Sequence, residues 1–380
     1  MTKQSSGYMG YEIGPIRPPS EARSLLLRVS RNCPWNNCRF CGLYKDKPFS
    51  IRKPQDVMAD IDQLKKMITA LEGISTYSQE DKQKIISELY EQDANAYHMA
   101  LTWKQSNYAS VFLQDADSLA IKPTHLIQIL EYLKSQFPEI QRITAYSSSR
   151  TIKRISGDDL KKIGSAGLNR IHIGMESGCN EVLDNVAKGA TYEDHVASGR
   201  KIKAAGIELS EYYMPGLGGK EKLQESAIDT ALAMNAINPD FIRIRTLAVG
   251  KKLLIAKDYQ DGTRTRTTDE DVVKELLIFL EKLEGIDSTI VSDHFLNLIP
   301  EFEGKLPEDK EKMANHLKWF LELDETQKMI YQLGRRTGRI HSQKDFYNQA
   351  LQKQITQLID EHRINPDNIH QVINQLMRGV

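Results

Sequence analysis

The sequence predicts an α/β fold, a partial (β/α)6 barrel followed by a mostly α-helical C-terminal extension. Three observations predict it. Six short apolar or alternating runs recur along the chain, each followed by a stretch with helical patterning. Their connections are short and their spacing nearly equal, which favours parallel strands. The polar and Gly-rich groups CPWNNCRFC, QDADS, SSSR, MESGCN, PGLGG and LAVG all fall just after those runs, where folds of this class carry their functional residues. The expected domains are a core over residues 20–250, with a helical insertion at about 74–107, and a helical domain over 263–380.

In chain order, SLLLRVS (Ser24–Ser30) is the first strand, and it leads directly into CPWNNCRFC. The insertion holds an amphipathic helix at about 78–92. ASVFLQD (109–115) is the second strand, with a helix from about Thr124 to Gln136. RITAYSS (142–148) is the third, and the helix after it has Ser156 at its N-cap and Asp159 three residues on. RIHIGME (170–176) precedes a helix from about Tyr192 to Ala205. IELSEYY (207–213) precedes one from about Lys222 to Asn235, and FIRIRTL (241–247) is the sixth strand. From about 263 the pattern is helical: DEDVVKELLIFLEKLEG, PEDKEKMANHLKWFLELD and a last stretch through INQLMRGV, with SDHFLNLIPEFEGKLP joining them.

Composition narrows the function classes. The chain has 380 residues, a formal net charge of zero, 40% hydrophobic and 27% charged residues, enough for two or three cores. No apolar run approaches the ~20 residues of a bilayer span, and the N-terminus shows no secretory h-region, so a cytoplasmic location and no membrane partner are expected. Balanced charge gives no whole-chain basic footprint, so nucleic acid is not favoured as a partner. Four cysteines make no disulfide framework, whereas three of them within nine positions suggest metal binding or catalysis.

Cys33, Cys38 and Cys41 admit three readings. They are a cluster of free thiols, part of a zinc site, or the ligands of an iron–sulfur cluster. Zinc usually takes four protein ligands, and here the nearest histidine in sequence is His98, while Cys179 stands alone. A 4Fe–4S cluster on three thiolates leaves one iron open to another ligand.

CPWNNCRFC, with Phe40 just before the last cysteine, resembles the cluster loop of radical S-adenosylmethionine enzymes. GMESGCNEVLDNVAKGAT is similar to a second motif of that superfamily, G-x-E-S-G followed by L and K-G. It occurs in the branch of oxygen-independent coproporphyrinogen oxidases, cobalamin-binding enzymes and Elongator-type subunits. The resemblance covers roughly residues 20 to 250. The family spacing is C-x-x-x-C-x-x-C; here four residues separate Cys33 from Cys38. The resemblance implies a 4Fe–4S cluster on Cys33, Cys38 and Cys41, with S-adenosylmethionine on the open iron. It also implies an electron donor of flavodoxin or ferredoxin type, reductive cleavage of the cofactor, and hydrogen abstraction from an unidentified substrate by a 5′-deoxyadenosyl radical. A tRNA-modifying enzyme of the same superfamily and a non-catalytic iron–sulfur protein are the alternatives.

The strand ends supply the candidates for binding S-adenosylmethionine. Phe40 and Gly42 lie in the cysteine loop. Gln114, Asp115 and Asp117 stand where the family often has Gly-Gly-Glu, although Asp is also common before a helix. Ser148 and Arg150 are candidates for the cofactor carboxylate. Alternation puts Arg170, His172, Gly174 and Glu176 on one face of their strand. An interior carboxylate needs partners, so Glu176 is read as a ribose acceptor. Gly216, with Gly218 and Gly219, suits a turn around the cofactor, and Leu247 closes the set. Arg243, Arg245 and Tyr212 are candidates for an anionic substrate, since Arg grips carboxylate or phosphate bidentately. Glu208 or Glu176 could instead neutralise an arginine. Asp293, His294 and Asn297 are weaker candidates, and Cys179 reads as an ordinary small residue.

Overall fold

The computed structural model describes residue 8 and residues 10–378. The N-terminal stretch read for a leader lies largely outside the described residues. So do Gly379 and Val380, at the end of the last predicted helix. The chain divides into two compact units. The first comprises the chain up to Pro34, Asp46–Ile173 and Lys201–Leu209; the second comprises Trp35–Lys45, Gly174–Arg200 and the chain from Ser210 on.

The first unit is built on parallel strands β1 (Leu25–Arg28), β2 (Ser110–Gln114), β3 (Arg142–Ser147) and the bulk of β4 (Leu168–Glu176), side by side in that order. The register sets Leu25 beside Val111, Val111 beside Ile143, and Ala145 beside Ile171. In-register residues of parallel strands share a face, so these apolar positions form one continuous buried layer. The opposite face carries Phe112, Tyr146 and His172, with successive ring contacts at 5.2 and 5.6 Å. Helices α1 (Pro54–Gly73), α2 (Gln79–Gln92), α3 (Ala94–Lys104), α4 (Pro123–Gln136), α5 (Ser149–Arg154) and α6 (Gly157–Ser165) belong to this unit. On α1 the buried stripe Val57, Ile61, Leu64, Ile68 follows helical spacing. Ser156 caps α6 by accepting the Asp159 amide at 3.0 Å, as expected. The single helix expected after β3 is two, broken at Ile155. Strand β1 is shorter than expected, because Ser30–Arg31 pairs antiparallel with Ser50–Ile51 instead. That small hairpin closes the base of the cysteine loop.

In the second unit the bulk of β5 (Glu208–Tyr213), β6 (Phe241–Ile244) and β7 (Thr289–Val291) run parallel, and β8 (Gly304–Lys305) is antiparallel to β7. Its helices begin with α7 (Asn180–Asn185), α8 (Tyr192–Ala204), α9 (Leu223–Ile237), α10 (Ala256–Gln260) and α11 (Asp269–Lys282). Then come α12 (Lys310–Glu322), α13 (Glu325–Arg336), α14 (Gln343–Phe346), α15 (Gln349–Glu361) and α16 (Ile369–Arg378). The α/β class is therefore as expected, each strand of the first six being followed by a helix. Two details correct the sequence reading. The sixth strand stops at Ile244, and β7 and β8 lie inside the stretch read as helical. Strands of three and two residues are too short to show alternation.

Candidate cofactor site

The cysteine loop is clamped by its own backbone neighbours within the second unit. The Arg39 amide donates to the Val186 carbonyl at 2.9 Å, and the Ile255 amide donates to the Arg39 carbonyl at 3.0 Å. The Arg39 guanidinium pairs with Asp258 at 2.5 Å, and Trp35 Nε1 donates to the Ala187 carbonyl at 2.8 Å. Phe40 packs on an apolar cluster that includes Cys179, Val182, Val186, Leu217 and Ile255. Leu247 packs on the same cluster, and at Gly42 a side chain would press on Leu253. Cys33, Cys38 and Cys41 are partly exposed and in no disulfide, whereas Cys179 is buried. Among the described residues no three His, Cys, Asp or Glu side chains already stand as a metal-binding group.

In the first unit the acidic residues after β2 are bonded into the fold. Asp115, fully buried at a φ of 72°, takes Arg28 Nε at 2.5 Å and the Asn32 amide at 3.2 Å. It therefore holds the root of the loop that carries Cys33. Asp117 accepts hydroxyls from Ser147 (2.9 Å), Ser148 (2.7 Å) and Thr151 (2.6 Å). Burial still pushes its carboxyl above the usual range, against the pull of those hydroxyls. Ser148 also caps α5 through the Thr151 amide, and Arg150 stands half-buried in that helix's first turn. Gln114 bridges Gly14 and Ile16 of the N-terminal segment. These candidates thus have structural partners already.

Charge is arranged differently in the second unit. Glu176, at the end of β4 with a φ of 69°, accepts Lys188 Nζ at 3.2 Å. Lys188 also lies 5.8 Å from the centre of the Phe40 ring. Burial alone would lower the Lys188 ammonium. Glu176 first, then Cys38 and Cys41, outweigh it and hold the group above its usual value. Gly174 leaves room for the pair, since a Cβ there would collide with Glu176 Oε1 and come within 3.1 Å of Lys188 Nζ. The donor chemistry therefore fits an iron–sulfur cluster, with three thiols and a partly buried cation beside two of them. Lys188 was not a sequence candidate, although it is the K of the K-G motif.

On β5 and β6, Tyr212 and Arg243 are in register. Arg243 is buried and donates to Asp293 Oδ2 at 2.6 Å and to Ser210 at 3.2 Å. Arg245 stacks over the Tyr212 ring at 4.9 Å and lies 3.9 Å from Asp293 Oδ1. His294, next to Asp293, is pushed down to about 4 by burial and by Arg245, with Asp293 opposing. Asn297 is spent on the end of β6, accepting the Thr246 amide and hydroxyl and donating to the Ile244 carbonyl. Glu208 pairs with Arg170, not with the β6 arginines. Glu211, passed over in the sequence, is fully buried, and neither oxygen has a hydrogen-bond partner among the described residues. Burial pushes its carboxyl well up; Lys188 opposes and Glu176 adds.

Similarity to known proteins bears on the family. Residues 27–228 match the model of the radical SAM superfamily. Over 87 residues the chain is 24% identical to the tRNA uridine(34) acetyltransferase of Methanocaldococcus jannaschii, which is 23% of this chain and 16% of that protein's length. Among solved structures, coproporphyrinogen III oxidase (HemN) from Escherichia coli is 17% identical with a TM-score of 0.45, covering 68% of this chain and 52% of that one. Methylornithine synthase (PylB) is 13% identical with a TM-score of 0.44, covering 77% and 68%. For the cobalamin-dependent enzyme OxsB the values are 14% and 0.44, covering 95% and 54%. Since the family model takes in just over half of the chain, the protein belongs to the radical SAM superfamily, whose enzymes use a 4Fe–4S cluster and S-adenosylmethionine.

Proposed function

We propose that Cys33, Cys38 and Cys41 hold the 4Fe–4S cluster, that S-adenosylmethionine binds beside it, and that the enzyme acts on an anionic substrate. The observation that carries this reading is the Glu176–Lys188 pair beside Cys38, Cys41 and Phe40. A partly buried ion pair with a single contact can exchange partners with a zwitterionic ligand. Lys188 then takes the cofactor's carboxylate and Glu176 takes its ribose hydroxyls. When bound, the cluster supplies the electron that cleaves S-adenosylmethionine reductively. Phe40 and the apolar cluster behind it keep water from that side. The Gly216 loop wraps the cofactor, while Arg243 and Arg245 meet the substrate's anionic group. The catalytic core is residues 20–250 and the helical domain 263–380. The reductant is a flavodoxin- or ferredoxin-type protein, in the cytoplasm.

The test is anaerobic reconstitution followed by reduction with dithionite in the presence of S-adenosylmethionine. The expected products are 5′-deoxyadenosine and methionine from the wild type. Cluster-loaded protein that forms neither would point to an iron–sulfur carrier instead.

A further inference from the structure

The glycine turn after β5 is held from one direction by a segment outside the family-matched region. Gly216 has a φ of 86°, a left-handed conformation that other residues adopt only with strain. A Cβ there would also lie 2.8 Å from Thr267 Oγ1. The Arg264 guanidinium donates to the Leu217 carbonyl. The Lys220 amide donates to the Thr265 carbonyl at 3.1 Å, and the Thr265 amide donates to Glu221 at 2.9 Å. Nearly two turns into α11, Glu275 is fully buried. Its Oε2 accepts the Gly216 amide at 2.7 Å, and its Oε1 accepts the Tyr213 hydroxyl at 2.7 Å.

We propose that Glu275 is a positioning residue whose carboxylate holds the Gly216 amide, sets the path of the glycine loop and thereby tunes the affinity for S-adenosylmethionine. The cofactor part of this rests on the proposed role of that loop. Burial lifts the Glu275 carboxyl to about 7, with Tyr213, Gly216 and Ser226 pulling it down and Asp271 raising it. Tyr213 faces it from β5, Ser226 from α9 and Asp271 from its own helix; Asp271 is itself paired with Lys220. When Glu275 is protonated, its O–H can donate to the Tyr213 oxygen, and Oε2 remains as a neutral acceptor for Gly216. When it is ionised, both bonds are charge-assisted and stronger. The Gly216 amide is one of the groups that lowers this carboxyl, so release of the loop with Glu275 still buried on α11 raises it further, and ionisation favours the held loop as the pH rises through about 7.

Glu275→Gln reproduces the protonated pattern, one donor and one acceptor, at every pH. Hydrogen exchange of the peptide covering Gly216–Gly219, corrected for intrinsic rates, should slow by about tenfold between pH 6 and pH 8 in the wild type. It should stay at the pH 6 level in Glu275→Gln. Calorimetric titration of reconstituted protein with S-adenosylmethionine should follow the same pattern, equal at pH 6 and about tenfold tighter at pH 8 only in the wild type. A purely structural loss would separate the two proteins at both pH values. If Glu275→Gln does not fold, the wild-type profile and Tyr213→Phe, which keeps the Gly216 bond and should keep the step, decide instead. A flat wild-type exchange profile, or a step retained in Glu275→Gln, overturns the proposal. An exchange step without S-adenosylmethionine binding at any pH supports the hold on the loop and removes the cofactor reading.

Discussion

The two units treat charge at their strand ends in opposite ways. In the first unit, Asp117 is wrapped by three hydroxyls and Asp115 by a guanidinium and an amide. In the second, Glu176 has a lysine contact at 3.2 Å, the Glu211 carboxyl has no hydrogen-bond partner among the described residues, and Asp293 spans two arginines at 2.6 and 3.9 Å. A buried carboxylate with all its partners supplied by the fold is costly to disturb and holds loops in place. One with a sparse, exchangeable partner can give it up to a ligand. The first set is expected to govern stability and loop geometry, the second to govern affinity and turnover.

The sharpest break of this contrast comes from the cysteines, which belong to neither set. Replacing Cys33, Cys38 or Cys41 with Ala should each reduce iron from about four per chain to near zero after reconstitution. Cys179→Ala, in its apolar cluster, should leave iron content unchanged. Loss of iron in Cys179→Ala would mean that the three-thiolate assignment is wrong.

Asp117→Ala should come next in size. It strands the hydroxyls of Ser147, Ser148 and Thr151 and should cost about 3 kcal/mol of unfolding free energy, read by denaturant titration. The protein that remains folded should bind S-adenosylmethionine with wild-type affinity. A weaker affinity at unchanged stability would move Asp117 from the first set to the second.

Lys188→Met should do the reverse. Stability and iron content should hold, while affinity for S-adenosylmethionine falls by roughly one to two decades, the loss of a charge-assisted bond of about 1.5–3 kcal/mol. Glu176→Gln should show a smaller loss in the same direction. Calorimetry on reconstituted protein reads both, and wild-type affinity in Lys188→Met would leave the pair a purely structural one.

Much of the fold could be read because its cause is local. Apolar or alternating runs marked the six strands, and the Ser156 cap and its helix followed from four residues. Strands β7 and β8 could not be read, since they form by pairing with β6 and with each other rather than by any pattern of their own. The site was less legible. Asp115 and Glu176 look alike in the sequence, both carboxylates at strand ends. What separates them is the company that folding brings: Arg28 lies 87 positions from Asp115, and the hydroxyls around Asp117 lie 30 to 34 positions away. Lys188 stood in a quoted motif, yet its pairing with Glu176, 12 residues earlier, depends on how the chain turns through α7. Glu211 stands in phase with Ile207, Leu209 and Tyr213, so a lone carboxylate on an apolar face was the signal that could have found it.

The smallest effect is expected at Arg245. Its guanidinium stacks on Tyr212 at 4.9 Å and stands 3.9 Å from Asp293 Oδ1, while Arg243 already takes Asp293 Oδ2 at 2.6 Å. Asp293 thus faces two cations, with Arg243 at the shorter distance. Arg243 is also the more deeply buried of the two, so it reads as the fixed member of the pair. On the proposed reading, Arg245, at the end of the strand, grips the anionic substrate. Arg245→Lys keeps the charge but loses the planar fork and most of the stacking on Tyr212. It should therefore leave uncoupled cleavage of S-adenosylmethionine at the wild-type rate. The extra 5′-deoxyadenosine formed when a small-molecule cell extract is supplied should fall by about fivefold, roughly 1 kcal/mol. An equal fall in both rates would make Arg245 part of the cofactor site, and no fall in either would place it with the structural charges of the first unit.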